Sequence, residues 1–395
     1  PPFMISQRGN FCQPTNKNFP RRCTFETFCF MISLCSRLPN MPTALAQRSS
    51  AISLHSAQGG NISFVIVQAQ CGYYTTTSSE VQTKTSGGDF FQAADNMEGN
   101  FMTTAYQILT DSSCDMPASL AQELDISAAP LRVHFQGGEY ENFLDGDPRS
   151  RLDMKAFYRA LREGAPTSTT AVNPEGWAAL MRPVLDSGRD VLVLAFSSGL
   201  SSTYSAAVSA AQELALQYPA RKIRVIDTLC ASMGQGLLIY HAVQRQRAGE
   251  SLEQVANFVE ENKLHLCHWF TVDNLMFLKR GGRISAATAV MGTMLKIKPV
   301  LHVDNLGHLV NVSKARGRKA AIDAMAAKVG QSGIDPGNQV FFISHGDCRE
   351  DAEYLAESLR RTYHPQDVVI SYVGPVIGSH SGPGTLALFF LGTQR

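Results

Sequence analysis

The chain has 395 residues, 35 Lys plus Arg against 34 Asp plus Glu, and 44% hydrophobic residues. A net charge near zero argues against a nucleic-acid footprint, which needs a clustered basic excess. No run of 18 apolar residues occurs, so no segment reads as a membrane span, and the length admits two or three domains.

Nine cysteines are present, but Cys12, Cys23, Cys29, Cys35 and Cys71 crowd the first quarter. Cys114, Cys230, Cys267 and Cys348 are far apart, and no CxxC or Cys/His pair has zinc-ligand spacing. The later part therefore reads as a reduced, cytosolic protein with free thiols. Residues 1–101 are rich in Ser, Thr, Asn, Gln, Gly and Phe, with few charges and no sustained period. They are expected to be disordered or a non-native extension, with Ile62–Val67 as one uncovered strand. A leader-like stretch (Arg21-Arg22, Phe28–Leu34, Ala44-Leu45-Ala46) is interrupted by Glu26 and Arg37. Met102 precedes a clean strand and is the expected natural start.

From Met102 the pattern is orderly. Tyr106–Thr110 reads as a strand and Pro117–Leu124 as a helix, with Asp115 as its N-cap. Ala129–Phe135 is a second strand, followed by a Gly137-Gly138 turn. Asp153–Arg162 and Pro174–Asp186 carry apolar residues at helical spacing. Asp190–Phe196 is apolar almost throughout, as in a strand buried on both faces. Then come helix Ser201–Tyr218, strand Lys222–Asp227 and helices Met233–Arg247 and Leu252–Asn262. Strands alternating with helices predict a doubly wound parallel sheet over residues 102–265.

Residues 266–395 mix hairpin and crossover connections, which predicts an α+β domain. Cys267–Val272 alternates, Lys279–Ser285 is a turn, and Ala286–Met294 is a small-residue helix. Lys298–Val303 and His308–Ser313 flank the hairpin loop Asp304–Gly307. Gly317–Gly330 is a helix, Gln339–Ser344 a strand, Arg349–Tyr363 a helix and Asp367–Val373 a strand. The stretch from Gly374 to Thr385 sets glycines and prolines around His380 and runs into apolar Leu386–Leu391. It reads as a rigid polar rim on an apolar wall, or simply as a Gly-rich turn.

Five polar clusters stand at strand ends or turns. These are Thr110–Ser113; the hydroxyl-rich loop Pro166–Thr170; Ser197–Tyr204; the basic turns Lys279–Ser285 and Lys314–Lys319; and the His380 segment. Hydroxyls and free N–H groups at a helix start make an anion site, although Ser197, Ser198 and Ser201 serve equally as plain caps. Basic residues opening the Gly317 helix oppose its dipole. Ser198, His380 and Asp227 allow a hydrolase triad on paper, but Phe196 and Leu200 stand where a G-x-S-x-G elbow has glycines. No phosphate-binding loop or dinucleotide fingerprint is present.

Taken in order, these clusters resemble the DegV family of bacterial fatty-acid-binding proteins. The matching pieces are Thr110-Asp111-Ser112, Pro166-Thr167-Ser168, Ser197–Tyr204, Val225–Thr228, Leu278–Ser285, Leu295–Val300 and Gly378–Gly384, spanning about Ile108 to Leu391. The resemblance implies a two-domain α/β protein with a parallel-sheet N-terminal domain, an α+β C-terminal domain and one long-chain fatty acid between them. It implies no cofactor and no catalysis by this chain, which would be the acyl carrier for an ATP-dependent fatty acid kinase. Thr167 and Ser198 would then bond the carboxylate, with Ser168, Ser197 and His380 completing the polar end. Arg283, Arg316 and Arg318 would dock the kinase. Two departures stand out: Thr-Ser-Thr-Thr where the family commonly has Thr-Ser-Gln, and Ser202 where a glycine is usual.

About fourteen buried methylenes at ~0.8 kcal/mol each contribute roughly 11 kcal/mol, from which association and ordering costs subtract. The polar end is expected to offer hydroxyls rather than a buried arginine, which would hold the carboxylate too well for onward reaction.

Overall fold

The computed structural model describes residues 51–56, 62–70, 73–81, 105–285 and 297–395. Within 1–101, β1 (Ala51–Ser56), β2 (Ile62–Gln70) and β3 (Tyr73–Val81) form an antiparallel sheet with β2 in the middle. Ile62–Val67 lies in β2. The leader-like stretch (residues 21–46) and the expected helix at 286–294 lie outside the described residues.

The described residues from 105 to 395 are built on two principal sheets. The first is parallel throughout: β10 (Ile223–Asp227), β9 (Asp190–Ala195), β4 (Tyr106–Asp111) and β5 (Ser127–Ala129), in that spatial order. Its central strands are apolar because both faces are covered. Val191, Val193 and Ala195 of β9 pack with Trp177 and Met181 of α3 (Pro174–Asp186) and Ala207 and Leu214 of α4 (Thr203–Gln217). Leu192 and Leu194 face the other way, with Leu237 of α5 (Met233–Arg247) and Val255 of α6 (Leu252–Asn262). The start of α3 follows from its sequence: Asn173 accepts the Gly176 N–H at 2.8 Å and Pro174 occupies the first turn.

The single strand expected over Ala129–Phe135 is two. Pro130 has no N–H for a ladder, and the chain breaks there. Only β5 joins the parallel sheet. β6 (Leu131–Phe135) instead centres an antiparallel sheet between β7 (Gly138–Asn142) and β8 (Thr167–Thr170). The hydroxyl-rich loop is thus a strand: three of its four residues are β-branched, and β6 supplies a ladder. Asp115 does not cap α1 (Ala118–Glu123), whose N-cap position is Pro117. Asp115 is buried, at φ +50°, and accepts the Ser232 hydroxyl at 2.5 Å.

The second sheet has six strands in the order β13 (Leu309–Arg316), β12 (Ile297–Val303), β11 (Leu266–Thr271), β16 (Leu386–Leu391), β14 (Val340–His345) and β15 (Asp367–Tyr372). Only β14 and β15 run parallel. The central β16 is apolar at every position because each face is buried. Leu386, Leu388 and Phe390 pack under α8 (Arg318–Ser332) and α9 (Arg349–Tyr363). Ala387 and Phe389 face α5. That helix serves both sheets, and Gly234 near its start lets it lie against them. A Cβ there would stand 2.2 Å from His268 Nε2 and 2.7 Å from the Phe389 ring.

The Gly/Pro segment before β16 is a helix, α10 (Pro375–Ser381), rather than a rigid turn. Pro375 is pre-set for its first turn, and Gly382 at φ +81° ends it, its N–H returning to Gly378 at 2.8 Å. Gly378 packs on buried Tyr158 of α2 (Met154–Arg162), whose hydroxyl donates to the Val373 carbonyl at 2.6 Å.

Candidate functional site

Between the α5-facing side of the six-stranded sheet and the turns of the N-terminal half lies a cavity of about 220 Å³. Its floor follows from strand register. Phe270, Ala387 and Ser344 share one rung, and His268 and Phe389 the next. Leu131, Leu200, Leu278, Val376 and Ile377 supply further apolar wall. The cavity runs along α10, with a polar group at each end. Gly374 abuts Asp115 at the start of the helix and His380 stands near its end, about 9 Å apart by helical rise; His380 lines the cavity, whereas Asp115 meets it through Ser232.

At the His380 end, Nε2 meets Thr169 Oγ1 at 2.8 Å. Gly281, just after α7 (Met276–Arg280), passes the other ring nitrogen so closely that a Cβ would stand 2.3 Å from Nδ1. Burial first, and the Arg283 charge second, hold the His380 pKa down at about 4, so the imidazole is neutral at pH 7. Arg283 also lines the cavity and is half-buried. Its Nε and Nη2 donate to the Leu200 carbonyl at 3.2 and 2.9 Å, and Nη1 donates to Gly281 O. These partners fix the guanidinium without neutralising it. Ser381 Oγ is buried with no hydrogen-bond partner, on a residue that lines the cavity.

At the other end Ser232 and Ser344 meet at 2.9 Å, and Ser232 donates to Asp115. Burial raises the Asp115 pKa to about 8. His268 lies on the floor with its pKa well below 6.5, chiefly through burial. Its Nδ1 meets the Leu266 carbonyl at 2.9 Å, and its Nε2 accepts the Ala231 N–H at 3.3 Å.

The family described as "Uncharacterised protein, DegV family" matches residues 105–393. A DegV domain-containing protein of Clostridium perfringens is 45% identical over 290 residues, covering 73% of this chain and 98% of that protein. The chain belongs to the DegV family. Among solved structures, a DegV family protein from Thermus thermophilus, described by its fatty acid binding, is 30% identical with a TM-score of 0.64. That match covers 73% of this chain and 99% of the other. A Thermotoga maritima protein described as revealing fatty acid binding function is 31% identical with a TM-score of 0.61, over 72% of this chain and 98% of the other. The Bacillus subtilis DegV fatty acid binding protein is 28% identical with a TM-score of 0.62, over 73% and 99%.

In this DegV-family chain the residues expected at the polar end fall in different places. His380 lines the cavity, but Thr167, Ser168, Ser197 and Ser198 are not among its lining residues. In β8, Thr169 and Thr167 share a face one strand repeat apart, opposite Val133 and Phe135, and only Thr169 reaches the cavity. Ser168 points outward and is exposed. Ser197 is buried and donates to the Gly307 carbonyl at 3.0 Å. Ser198 is exposed, and its N–H donates to Asp227 Oδ1 at 3.1 Å. Ser201 and Ser202 of the same turn do line the cavity, and Ser202 makes no capping bond. The hydrolase triad is not assembled: His380 Nε2 meets Thr169, and Asp227 Oδ1 accepts the backbone N–H groups of Ser198 and Leu229.

The basic residues also divide. Arg283 is part of the cavity wall, so the site contains the arginine that its hydroxyl-rich sequence argued against. Arg318 is tied to Asp351 at 2.8 Å and lies 3.8 Å from Asp273. Arg316 is exposed at the end of the edge strand β13. Thr169, Ser202 and Ser381 line the cavity and were not among the ligand residues expected from the sequence. Alternation along a recognised β8 would have separated Thr169 from its neighbours. Among the described residues no cluster of three or more His, Cys, Asp or Glu is placed to hold a metal, and no helix is long and apolar enough to cross a membrane.

Proposed function

We propose that this chain binds a long-chain fatty acid in the cavity. The carboxylate lies among Thr169, Arg283, His380 and Ser381, and the alkyl chain runs along α10 over Phe270 and Phe389. The observation that carries this reading is Arg283, a half-buried guanidinium held by two carbonyls in the wall of a largely apolar cavity. Such a charge favours an anion, and a hydrogen bond between charged groups is stronger than a neutral one. Neutral His380 is bonded to Thr169, and that pair and the Ser381 hydroxyl each add a donor without a second charge. Relatives described as fatty-acid-binding support the ligand class.

The chain itself breaks no bond in this reading. It presents the acid to an ATP-dependent fatty acid kinase, which forms the acyl phosphate, and Arg316 is the exposed one of the three arginines expected to dock it. Organic extraction of the purified chain, with mass spectrometry, is expected to yield a long-chain fatty acid at about one per chain. A chain that carries none, and takes up neither palmitate nor oleate on incubation, overturns the reading.

A further inference from the structure

One wall of the cavity is a hairpin whose turn is held by two polar contacts, and neither of the residues that make them lines the cavity. β12 and β13 are joined by the Asp304–Gly307 turn, and Val303 and Leu309 at its two roots line the cavity. Among the described residues the hairpin pairs with β11 at two positions, Trp269 with His302 and Phe270 with Leu301, and its far half, through Val300 and Ala315, packs on α8. At its tip Leu306 is 68% exposed, so that side chain is no apolar anchor.

Two polar contacts hold the tip instead. Ser197 Oγ donates to the Gly307 carbonyl at 3.0 Å. The fit is close on both sides. A Cβ on Gly307, whose φ is +76°, would stand 2.1 Å from Ser197 Oγ, and one on Gly199 would stand 2.7 Å from the Leu306 carbonyl oxygen. The second contact comes from Arg395. Its Nη1 donates to the carbonyls of Asp304 at 2.9 Å and Leu229 at 2.8 Å. Its Nη2 donates to Lys263 O at 2.6 Å and its Nε to Leu266 O at 3.1 Å. One guanidinium thus ties the hairpin turn to the Leu229 carbonyl in the turn after β10 and to the Lys263 and Leu266 carbonyls before and at the start of β11.

The cavity of about 220 Å³ is only modestly larger than the ~150 Å³ that accepts a benzene ring. A long acyl chain enters or leaves such a space only as a wall opens, and the wall closes again over the bound acid. We propose that this hairpin is the moving wall, and that Ser197 and Arg395 are positioning residues that latch it and set the rate at which lipid enters and leaves. The inference rests on the fatty-acid reading above. Because neither side chain lines the cavity, the latch governs exchange rates in both directions and leaves the equilibrium affinity nearly unchanged.

Stopped-flow displacement of cis-parinaric acid from the full chain tests this. Ser197→Ala and Arg395→Ala are each expected to speed release about 5-fold, the effect of one ordinary hydrogen bond. Association should accelerate similarly, with Kd held within about twofold. Thr169→Ala, in contrast, is expected to raise Kd. If Ser197→Ala does not fold, Arg395→Ala carries the test. Unaltered exchange in the folded variants overturns the latch alone, as does a raised Kd with an unchanged association rate. A wild-type chain that binds no cis-parinaric acid and no natural fatty acid brings down the fatty-acid reading and the latch together.

Discussion

Two hydroxyl-rich segments, Thr167–Thr170 and Ser197–Thr203, look alike as sequence and behave differently as structure. The first is a strand, so its side chains alternate, and one of the four, Thr169, reaches the cavity. The second is a turn leading into α4, where no period applies. Ser197 and the Ser198 N–H are taken by protein partners, while Ser201 and Ser202 reach the cavity. A run of alcohols therefore advertises a polar site without saying which members face it. Backbone geometry and the competition from carbonyl and carboxylate partners decide that.

The sharpest break to this contrast lies outside both segments. If Arg283 supplies the charge that brings an anion here, Arg283→Gln should weaken fatty acid binding the most, by roughly 10- to 100-fold, as for hydrogen bonds to charged groups. Isothermal titration with palmitate measures it, and a loss under about twofold would remove the anion site. Within β8, Thr169→Ala should cost about 10-fold, whereas Thr167→Ala and Ser168→Ala should stay within about twofold. Equal losses at all three positions would show that β8 is not a strand in the bound protein.

The histidine bonded to Thr169 responds to pH in a direction that follows from its burial. The folded His380 pKa, about 4, lies below the unfolded value of ~6.5. Its contribution to stability is therefore complete above about pH 6.5 and is lost as pH falls through 4. His241 and His345, also lowered to about 4 chiefly by burial, act in the same sense. Asp115, raised to about 8 by burial, acts in the opposite sense over that range, so the His380 share is the difference between wild-type and His380→Gln denaturant midpoints, expected to shrink on acidification from about pH 6.5 to 4. NMR titration of the His380 ring should show no protonation near pH 6, and a midpoint near 6.5 would contradict its buried placement. Arg283→Gln should move that midpoint upward, because the lost charge is one of the causes holding it down.

Much of this was legible in advance where pattern and cap agree. Pro174–Asp186, Met233–Arg247, Leu252–Asn262 and Arg349–Tyr363 are helices over the residues their periodicity gives. The parallel sheet was legible because β9 is apolar on both faces. What failed did so for identifiable reasons. Thr167–Thr170 has no apolar alternation to mark a strand, and its partner β6 was hidden in a longer run divided by Pro130. The Gly374–Ser381 segment is poor in helix formers, yet folds as one because Pro375 starts it and Tyr158 needs a glycine at 378. Arg283 read as a surface charge because sequence cannot show that the Leu200 carbonyl waits across the cavity.

The smallest expected effect is the most discriminating, because the hydroxyl run by itself makes Ser198 a ligand or a nucleophile. Its side chain is exposed and outside the cavity lining, and its structural bond uses the backbone N–H, donated to Asp227. Alanine keeps that N–H, so Ser198→Ala should leave lipid retention within about twofold and stability within about 0.5 kcal/mol. For the same reason a fluorophosphonate should not label Ser198, since His380 is committed to Thr169 and cannot take its proton. Loss of co-purifying lipid in Ser198→Ala would mean that the turn rotates when ligand binds, exchanging Ser198 for Ser201 at the rim. The two hydroxyl segments would then differ in mobility, not in which face they present.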